Sequence, residues 1–258
     1  MADPMVLENR APAAADASLL VAMPQPALDP RTRLLLEAPI ARTLLRLAAP
    51  NVVVMVVQAA VGLVETYFIG WLGTDALAGV SLVFPVVMLM QMMSAGAMGG
   101  GISSSIARAL GARRRDDADA LALHALVIGA LFGLGFMVAL LAGGPLLYRA
   151  MGGSGAAGAA ALTYSNVVFA GAILVWVFNS LGNVVRGTGN MLVPAAVSCV
   201  GAAILIPVSP CLILGWGPFP RLGVAGGAVA VLAYYALGSA ALTWYLVSGR
   251  SVVRPSLR

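Results

Sequence analysis

The chain has 258 residues, of which 60% are hydrophobic and only 10% are charged, and its formal net charge is +5. A soluble domain carries about 25% charged residues, so this composition excludes an ordinary water-soluble protein. The basic residues, all of them arginines, lie between long apolar runs, which argues for membrane topology rather than a nucleic-acid partner. Because these runs lack the period-2 pattern of barrel strands, they predict an all-α integral membrane protein.

The chain divides into a tail, a membrane region and a second tail. Residues 1–38 are rich in Ala and Pro, carry charges of both signs and show no helical period, which predicts a disordered cytoplasmic tail. Residues 39–248 are predicted to form one lobe of six transmembrane helices, and residues 249–258 a cytoplasmic C-terminal tail. The six predicted spans are 47–70, 77–101, 121–142, 159–182, 192–214 and 224–247.

A charged connector joins the second and third spans. Arg113, Arg114 and Arg115 are followed at once by Asp116 and Asp117. Basic residues favour the last turn of a helix and acidic residues the first. The second helix is therefore predicted to extend out of the bilayer, and a new helix to start at the aspartates.

The arginines also predict the orientation of the lobe. With the N-terminus inside, thirteen arginines fall on the inner side and only Arg149 and Arg221 on the outer side. Because cytoplasmic loops carry the excess of basic residues, both termini are predicted to be cytoplasmic, with the chain in the cell (inner) membrane as a multi-pass protein.

Glu65 is the one acidic residue within the predicted spans. A carboxylate inside a membrane helix costs on the order of 2.5–3.5 kcal/mol on insertion scales, so it usually faces a protein interior or a wet cavity. We therefore predict that Glu65 couples transport to H+ or Na+. The alternative is a hydrated carboxyl group near the interface with a structural role only.

Several other polar or aromatic side chains are candidates for lining a substrate cavity. Gln58 lies two turns before Glu65 on the same helix face, and Asn179 and Asn183 supply amides to the fourth span. Trp176 and Tyr164 offer rings that can stack on a cation. The competing interpretation is that the amides join helices and the rings pack in the core.

Ser209 is the last cavity candidate, and it lies in the fifth span between Pro207 and Pro210. Prolines inside a helix free backbone carbonyl groups, which beside a hydroxyl could coordinate a cation, although neighbouring helices can equally satisfy them. The sequence has no nucleophile-elbow, Walker or H-E-x-x-H motif, so neither a catalytic residue nor a metal ligand is predicted, and the protein is not expected to be an enzyme.

Four stretches together resemble the MATE family, the multidrug and toxic compound extrusion antiporters. The first looks like the family's first helix, with a proline near its start and an acid near its end. The others are similar to its cytoplasmic S-x-x-x-A-x-x-x-G-A stretch, its R-G-x-G-[DN] loop and its outer loop between helices five and six. These stretches are, in order, Arg42–Gly70, Gly101–Leu126, Asn183–Pro194 and Pro210–Val224.

The resemblance implies a transporter of twelve helices in two six-helix lobes, of which residues 40–248 match the N-terminal lobe. It implies xenobiotic efflux driven by inward H+ or Na+ flow, with small organic, cationic or amphipathic substrates and no other cofactor. Two positions depart from the family pattern. The first-helix acid, usually Asp, is Glu65, and the N-x-x-x-D-P of the fifth helix reads Leu205 and Ser209 before Pro210. A second coupling acid is therefore missing, and Glu65 would have to act with hydroxyl and backbone groups.

Three hypotheses follow. The first is an antiporter lobe that works as a homodimer or with a separate second lobe. The second is a truncated remnant without transport activity. The third is a flippase for lipid-linked oligosaccharides, which is disfavoured because such a cavity should carry several cations, whereas Arg149 and Arg221 flank spans.

Overall fold

A computed structural model of the protein describes residues 39–255, apart from the side chains of Arg42, Thr43, Arg46 and Leu47. The predicted tail at residues 1–38 lies outside the described residues. Contacts within the chain separate a first unit that ends at Arg46 from a second unit that starts at Leu47. In the first unit the described residues begin a helix, and the side chains of Ile40, Leu44 and Leu45 are exposed.

Within the described residues every regular element is a helix. In chain order these are α1 (Ile40–Gly70), α2 (Thr74–Gln91), a π-helical segment (Met92–Met98), α3 (Gly99–Gly111), α4 (Arg115–Ala150), α5 (Gly155–Ala170), α6 (Ala172–Gly187), α7 (Leu192–Leu214) and α8 (Val224–Val247). Five stretches are long and apolar enough to cross a membrane, and α5 and α6 together make a sixth, bent span. The prediction of an all-α membrane fold is confirmed.

The second span extends as predicted beyond the apolar run. Its three segments continue from Thr74 to Gly111, and α4 starts at Arg115 after a short turn. The guanidinium group of Arg114 lies 3.0 Å from the carboxylate of Asp117, so the two charges pair at the start of α4.

The fourth span differs from the single helix expected at 159–182. It consists of α5 and α6, which are bent by 49° at Gly171. The side chain of Leu232 on α8 packs so closely against Gly171 that a Cβ atom there would collide with it. Both halves pack on α4 and α8, whereas α2 packs on α5 and α3 packs on α6.

Small residues allow α4 to approach α6 closely. They form a buried stripe along α4 at steps of three or four residues: Ala118, Ala122, Ala125, Gly129 and Gly133. A Cβ atom on Gly133 would lie only 2.6 Å from the Cα atom of Ile173, so the backbones of the two helices are in contact there. Close approach through small residues is the usual packing mode of membrane helices, whose large apolar side chains can face lipid.

The ends of several helices gather at what we call the arginine-rich end of the lobe. It carries Arg108, Arg113, Arg114, Arg115, Arg186, Arg250 and Arg254. Within it, the amide of Asn190 donates to the hydroxyl of Tyr245 over 3.0 Å. The residues after α8 turn back onto the lobe, where Val253 is fully buried and the backbone N–H of Arg254 donates to Asp119 over 2.8 Å. At the opposite end, the rings of Trp71 and Trp216 meet with centroids 6.4 Å apart.

Candidate functional site

The carboxyl group of Glu65 lies where α1, α5 and α8 meet. Its Oε1 atom accepts a hydrogen bond of 3.3 Å from the hydroxyl of Tyr164. Gly227 of α8 faces the same oxygen, and a Cβ atom there would lie 2.9 Å from it. One turn further along α1, Ile69 is fully buried against Ile213 of α7. The carboxyl group therefore points between helices. It lies next to the hydroxyl of Tyr164 and next to Gly227, where a larger residue would place its side chain against the carboxyl oxygen.

A second set of polar groups lies in the interior beside this acid, and we call it the polar cluster: Gln91, Ser94, Asn179 and Tyr235. The amide nitrogen of Asn179 donates to Gln91 Oε1 over 3.0 Å and approaches Ser94 Oγ at 2.8 Å. The amide nitrogen of Gln91 in turn donates to the hydroxyl of Tyr235. Tyr235 lies two turns after Gly227 on α8, and Gly227 faces the Glu65 carboxyl group, so the polar cluster and the acid lie along the same helix.

The polar groups continue along α6 towards the arginine-rich end. The side-chain amide of Asn183 donates to the backbone carbonyl of Asn179 over 2.8 Å, and Arg186 donates to Asn183 Oδ1 over 3.3 Å. Gly99 at the start of α3 lies against the amide of Asn183 and leaves no space for a side chain. A series of hydrogen-bonding groups thus extends from the polar cluster to the half-buried Arg186.

The other predicted site residues lie apart from this series. Gln58 is exposed, and its side chain forms no hydrogen bond with the described residues. Trp176 is 1% exposed and stacks on Phe132 with ring centroids 5.2 Å apart, so its faces are covered by protein. Ser209 is buried, and its hydroxyl has no partner among the described residues. Of the predicted residues, Tyr164 bonds to Glu65 itself, and Asn179 and Asn183 join the hydrogen-bonded series beside it.

Sequence reasoning did not assign Gln91, Ser94 or Tyr235 to the site. A signal for Gln91 was present, because it is the single amide in the predicted second span and buried amides there need partners. Ser94 was not singled out because small hydroxyl residues are common in membrane helices, although it lies one helical turn after the buried Met90. It belongs to the π-helical segment, and such segments often occur at functional sites.

The chemistry of the site is that of one acid with hydroxyl and amide neighbours. A carboxyl group beside a phenol can hold or release a proton, and carboxylate and hydroxyl oxygens can also bind a hard cation. Among residues 39–255 no group of three or more His, Cys, Asp or Glu side chains is placed to hold a metal ion.

The sequence is similar to those of known membrane proteins. The sequence profile of the MatE family matches residues 50–211. The chain is 34% identical over 204 residues to a FAD transporter of Shewanella oneidensis, covering 77% of this chain and 44% of the relative. It is 32% identical over 220 residues to a probable multidrug resistance protein NorM of Deinococcus radiodurans, covering 81% and 46%. The chain thus spans less than half the length of these curated relatives.

Solved structures give the same result. A MOP superfamily transporter from Pyrococcus furiosus superposes with a TM-score of 0.80 at 30% identity, over 90% of this chain and 50% of that one. A MATE structure in the bent conformation gives a TM-score of 0.77 at 31% identity, over 84% and 48%. Members of the family are transporters and not enzymes. Profile, relatives and superposition agree with the resemblance noted in the sequence, and the chain belongs to the MatE (MATE) family of membrane transporters.

Proposed function

We propose that the chain forms one lobe of a secondary antiporter that exports small organic compounds against an inward gradient of H+ or Na+. The observation that carries this proposal is the position of Glu65, whose carboxyl group points between three spans and bonds to Tyr164. An acid kept at this depth is costly, so its presence favours a role in ion movement. Binding an ion at Glu65 would favour one access state of the lobe and thereby change its affinity for the exported compound.

Glu65 acts in this proposal without a second carboxylate. The described residues place no other Asp or Glu beside it, and the fifth span offers Ser209 instead, buried with an unpaired hydroxyl. A proton needs only one carboxyl group, whereas Na+ would also need hydroxyl or carbonyl oxygens around it. The proposal includes both ions, and transport driven by an H+ gradient or by a Na+ gradient distinguishes them.

The lobe requires a second lobe to enclose a substrate. The relatives that it matches are more than twice as long as the matched region, and transporters of this kind place the substrate between two repeats. The second lobe is supplied by more of the same polypeptide, by a second copy or by a separate protein. Alternating access then arises from movement of one lobe against the other.

The proposed location is the cell (inner) membrane, with the arginine-rich end on the cytoplasmic side. This orientation is supported by the excess of arginines at that end over Arg149 and Arg221 at the other. Both termini are then cytoplasmic.

The substrate class is proposed from the relatives' names. Several are named multidrug resistance proteins, which favours cationic or amphipathic organic compounds, and one is named a FAD transporter, which favours a flavin nucleotide. A dye cation and FAD are therefore the two substrates to compare.

The test uses vesicles that hold the chain together with its second lobe, with an imposed H+ or Na+ gradient, and it measures release of a dye cation or of FAD. We expect Glu65→Gln to lower gradient-driven transport at least about tenfold, because the ion loses its ligand. Asp75→Asn is the matched control, since Asp75 is exposed in the first turn of α2 and should be dispensable. Equal transport by the wild type and Glu65→Gln, with equal protein in the membrane, would dismiss Glu65 as the coupling acid.

A further inference from the structure

Two cavities lie along the contact between the second and third spans, and we call the surface that joins them the groove. The first, of about 430 Å³, lies at the arginine-rich end and is lined in part by Ser105 and Arg108 of α3 and His124 of α4. The second, of about 490 Å³, lies farther from that end and is lined by Met93 of the π-helical segment and by Phe132 and other apolar residues of α4. The two cavities therefore share the same pair of walls.

Both cavities lie on one face of α4. Leu121 and His124 line the first, Leu131 and Gly135 line the second, and steps of three or four residues connect them through the exposed Ile128. From His124 to Gly135 the helix rises about 16 Å. That distance matches the depth of one leaflet, which is about half of a 30 Å hydrocarbon core.

The polarity of the groove changes along this distance. The first cavity has Arg108, His124 and the paired charges of Arg114 and Asp117, which lie 3.0 Å apart. Arg108 donates to the hydroxyl of Ser105 over 3.2 Å and pairs with no carboxylate of the described residues. An arginine with unpaired N–H groups binds a phosphate oxygen well. This end of the groove is therefore suited to an anion.

His124 adds a second group for such an anion. Its Nδ1 atom lies 2.7 Å from the carbonyl oxygen of Ala120, so in this tautomer Nδ1 carries a proton and donates it. The Nε2 atom is then left for a ligand, to which the ring donates when it is protonated.

The second cavity has fixed aromatic walls. Phe132 stacks on the buried ring of Trp176 at an interplanar angle of 15°, and the ring of Phe136 lies 5.7 Å from the same indole. These rings are held by packing, while Leu131 remains 61% exposed at the open side of the groove. Such a surface suits a flexible hydrocarbon chain.

We propose that this groove binds one anionic glycerophospholipid from the leaflet at the arginine-rich end. Its phosphate lies at Arg108 and His124, and an acyl chain extends past Leu121 to the rings of Phe132 and Phe136. Three features favour this lipid over a soluble anion or a free hydrocarbon. They are the charge at one end of the groove, the apolar rings at the other and the distance between them, which is one leaflet depth. The proposal does not depend on the transport function.

The test uses the fluorescence of Trp176 in the full chain, with the other three tryptophans replaced by Phe. The protein is titrated with phosphatidylglycerol that carries bromine, a short-range quencher, on its acyl chains, and in parallel with phosphatidylcholine brominated in the same way. We expect phosphatidylglycerol to quench at concentrations about tenfold lower, as expected when charge-assisted hydrogen bonds form. Equal quenching by the two lipids would overturn the proposal.

Two pairs of variants examine the two ends of the groove. Arg108→Gln should raise the half-quenching concentration of phosphatidylglycerol about tenfold, whereas Arg115→Gln, which removes the same charge outside the cavity, should not. Gly135→Phe should fill the apolar cavity and prevent quenching, because a Cβ atom at Gly135 meets nothing within 4 Å. Gly143→Phe is its control on the same helix, since Gly143 is equally open but lies outside the cavity.

The remaining outcomes are also decisive. Unbrominated phosphatidylglycerol should restore the fluorescence, whereas inorganic phosphate at the same concentration should not. If phosphate restores it fully, the groove is an anion site and not a lipid site. If Arg108→Gln and Arg115→Gln weaken quenching equally, only the overall charge matters and the proposed phosphate position is wrong.

Discussion

The contact between Gly133 and α6 gives the sharpest prediction about stability. In Gly133→Ala the new Cβ atom would lie 2.6 Å from Ile173 Cα and 3.1 Å from Ile173 N. Both neighbours are backbone atoms, so neither can rotate away. Ordinary contact begins near 3.4 Å, and the helices would therefore have to separate by about 0.8 Å at this point.

The expected loss follows from that overlap. Inserting a methyl group into a packed interface that cannot yield costs about 1–3 kcal/mol. For a protein of this size each kcal/mol lowers the melting temperature by about 2–4 °C, so we expect a decrease of about 2–12 °C. The measurement is thermal unfolding of the purified protein in detergent, followed by the loss of helical circular dichroism.

Gly135→Ala is the matched control for this measurement. It lies two residues further along α4, and a Cβ atom there meets nothing within 4 Å. Since Ala is a better helix former than Gly, the melting temperature should stay the same or rise slightly. A Gly133→Ala protein as stable as the wild type, or an equal loss in Gly135→Ala, would refute the close contact of α4 with α6.

Three further predictions concern buried polar groups. Asn179→Leu should lower the free energy of unfolding by about 0.6–1.7 kcal/mol, because its buried partners lose their donor. Asn166→Leu, at an exposed position of α5, should leave the free energy of unfolding unchanged in the same thermal unfolding measurement. Tyr148→Phe and Ser165→Ala should show a coupling of about 0.5–1.5 kcal/mol in a double-mutant cycle, since their buried hydroxyls are 2.8 Å apart, and simple additivity would contradict the bond. Gly227→Ala should lower gradient-driven vesicle transport by roughly tenfold by displacing the coupling carboxyl, and unchanged transport would show that the close approach is not needed.

Much of the fold could be predicted from the sequence because hydropathy determines which segments cross a membrane. Five predicted spans correspond to continuous apolar stretches, and the charges at 113–117 marked the turn before α4 correctly. The bend at Gly171 was not predicted, because the packing there involves Leu232, a residue 61 positions away that no local pattern indicates.

The site was predictable only in part, for a similar physical reason. An acidic residue in an apolar helix has a high energetic cost in the membrane, so Glu65 could be identified from the sequence as a candidate site residue. Its bond to Tyr164 and the bonds from Asn179 to Gln91 join residues 88 or 99 positions apart. Such pairings arise when helices pack, and the composition of one helix does not specify them. The π-helical segment likewise changes the phase of the second span, so that the buried residue after Ser94 is Gly99, five positions on rather than three or four.

The bend in the fourth span also restricts how the lobe can deform. Both halves of the bent span pack on α4 and on α8, so the chain is fastened to the same two helices on either side of the junction. A change of the angle at Gly171, where the glycine backbone is most permissive, would therefore have to loosen contacts with α4 and α8. A motion that keeps this angle carries α4, α5, α6 and α8 together as one body.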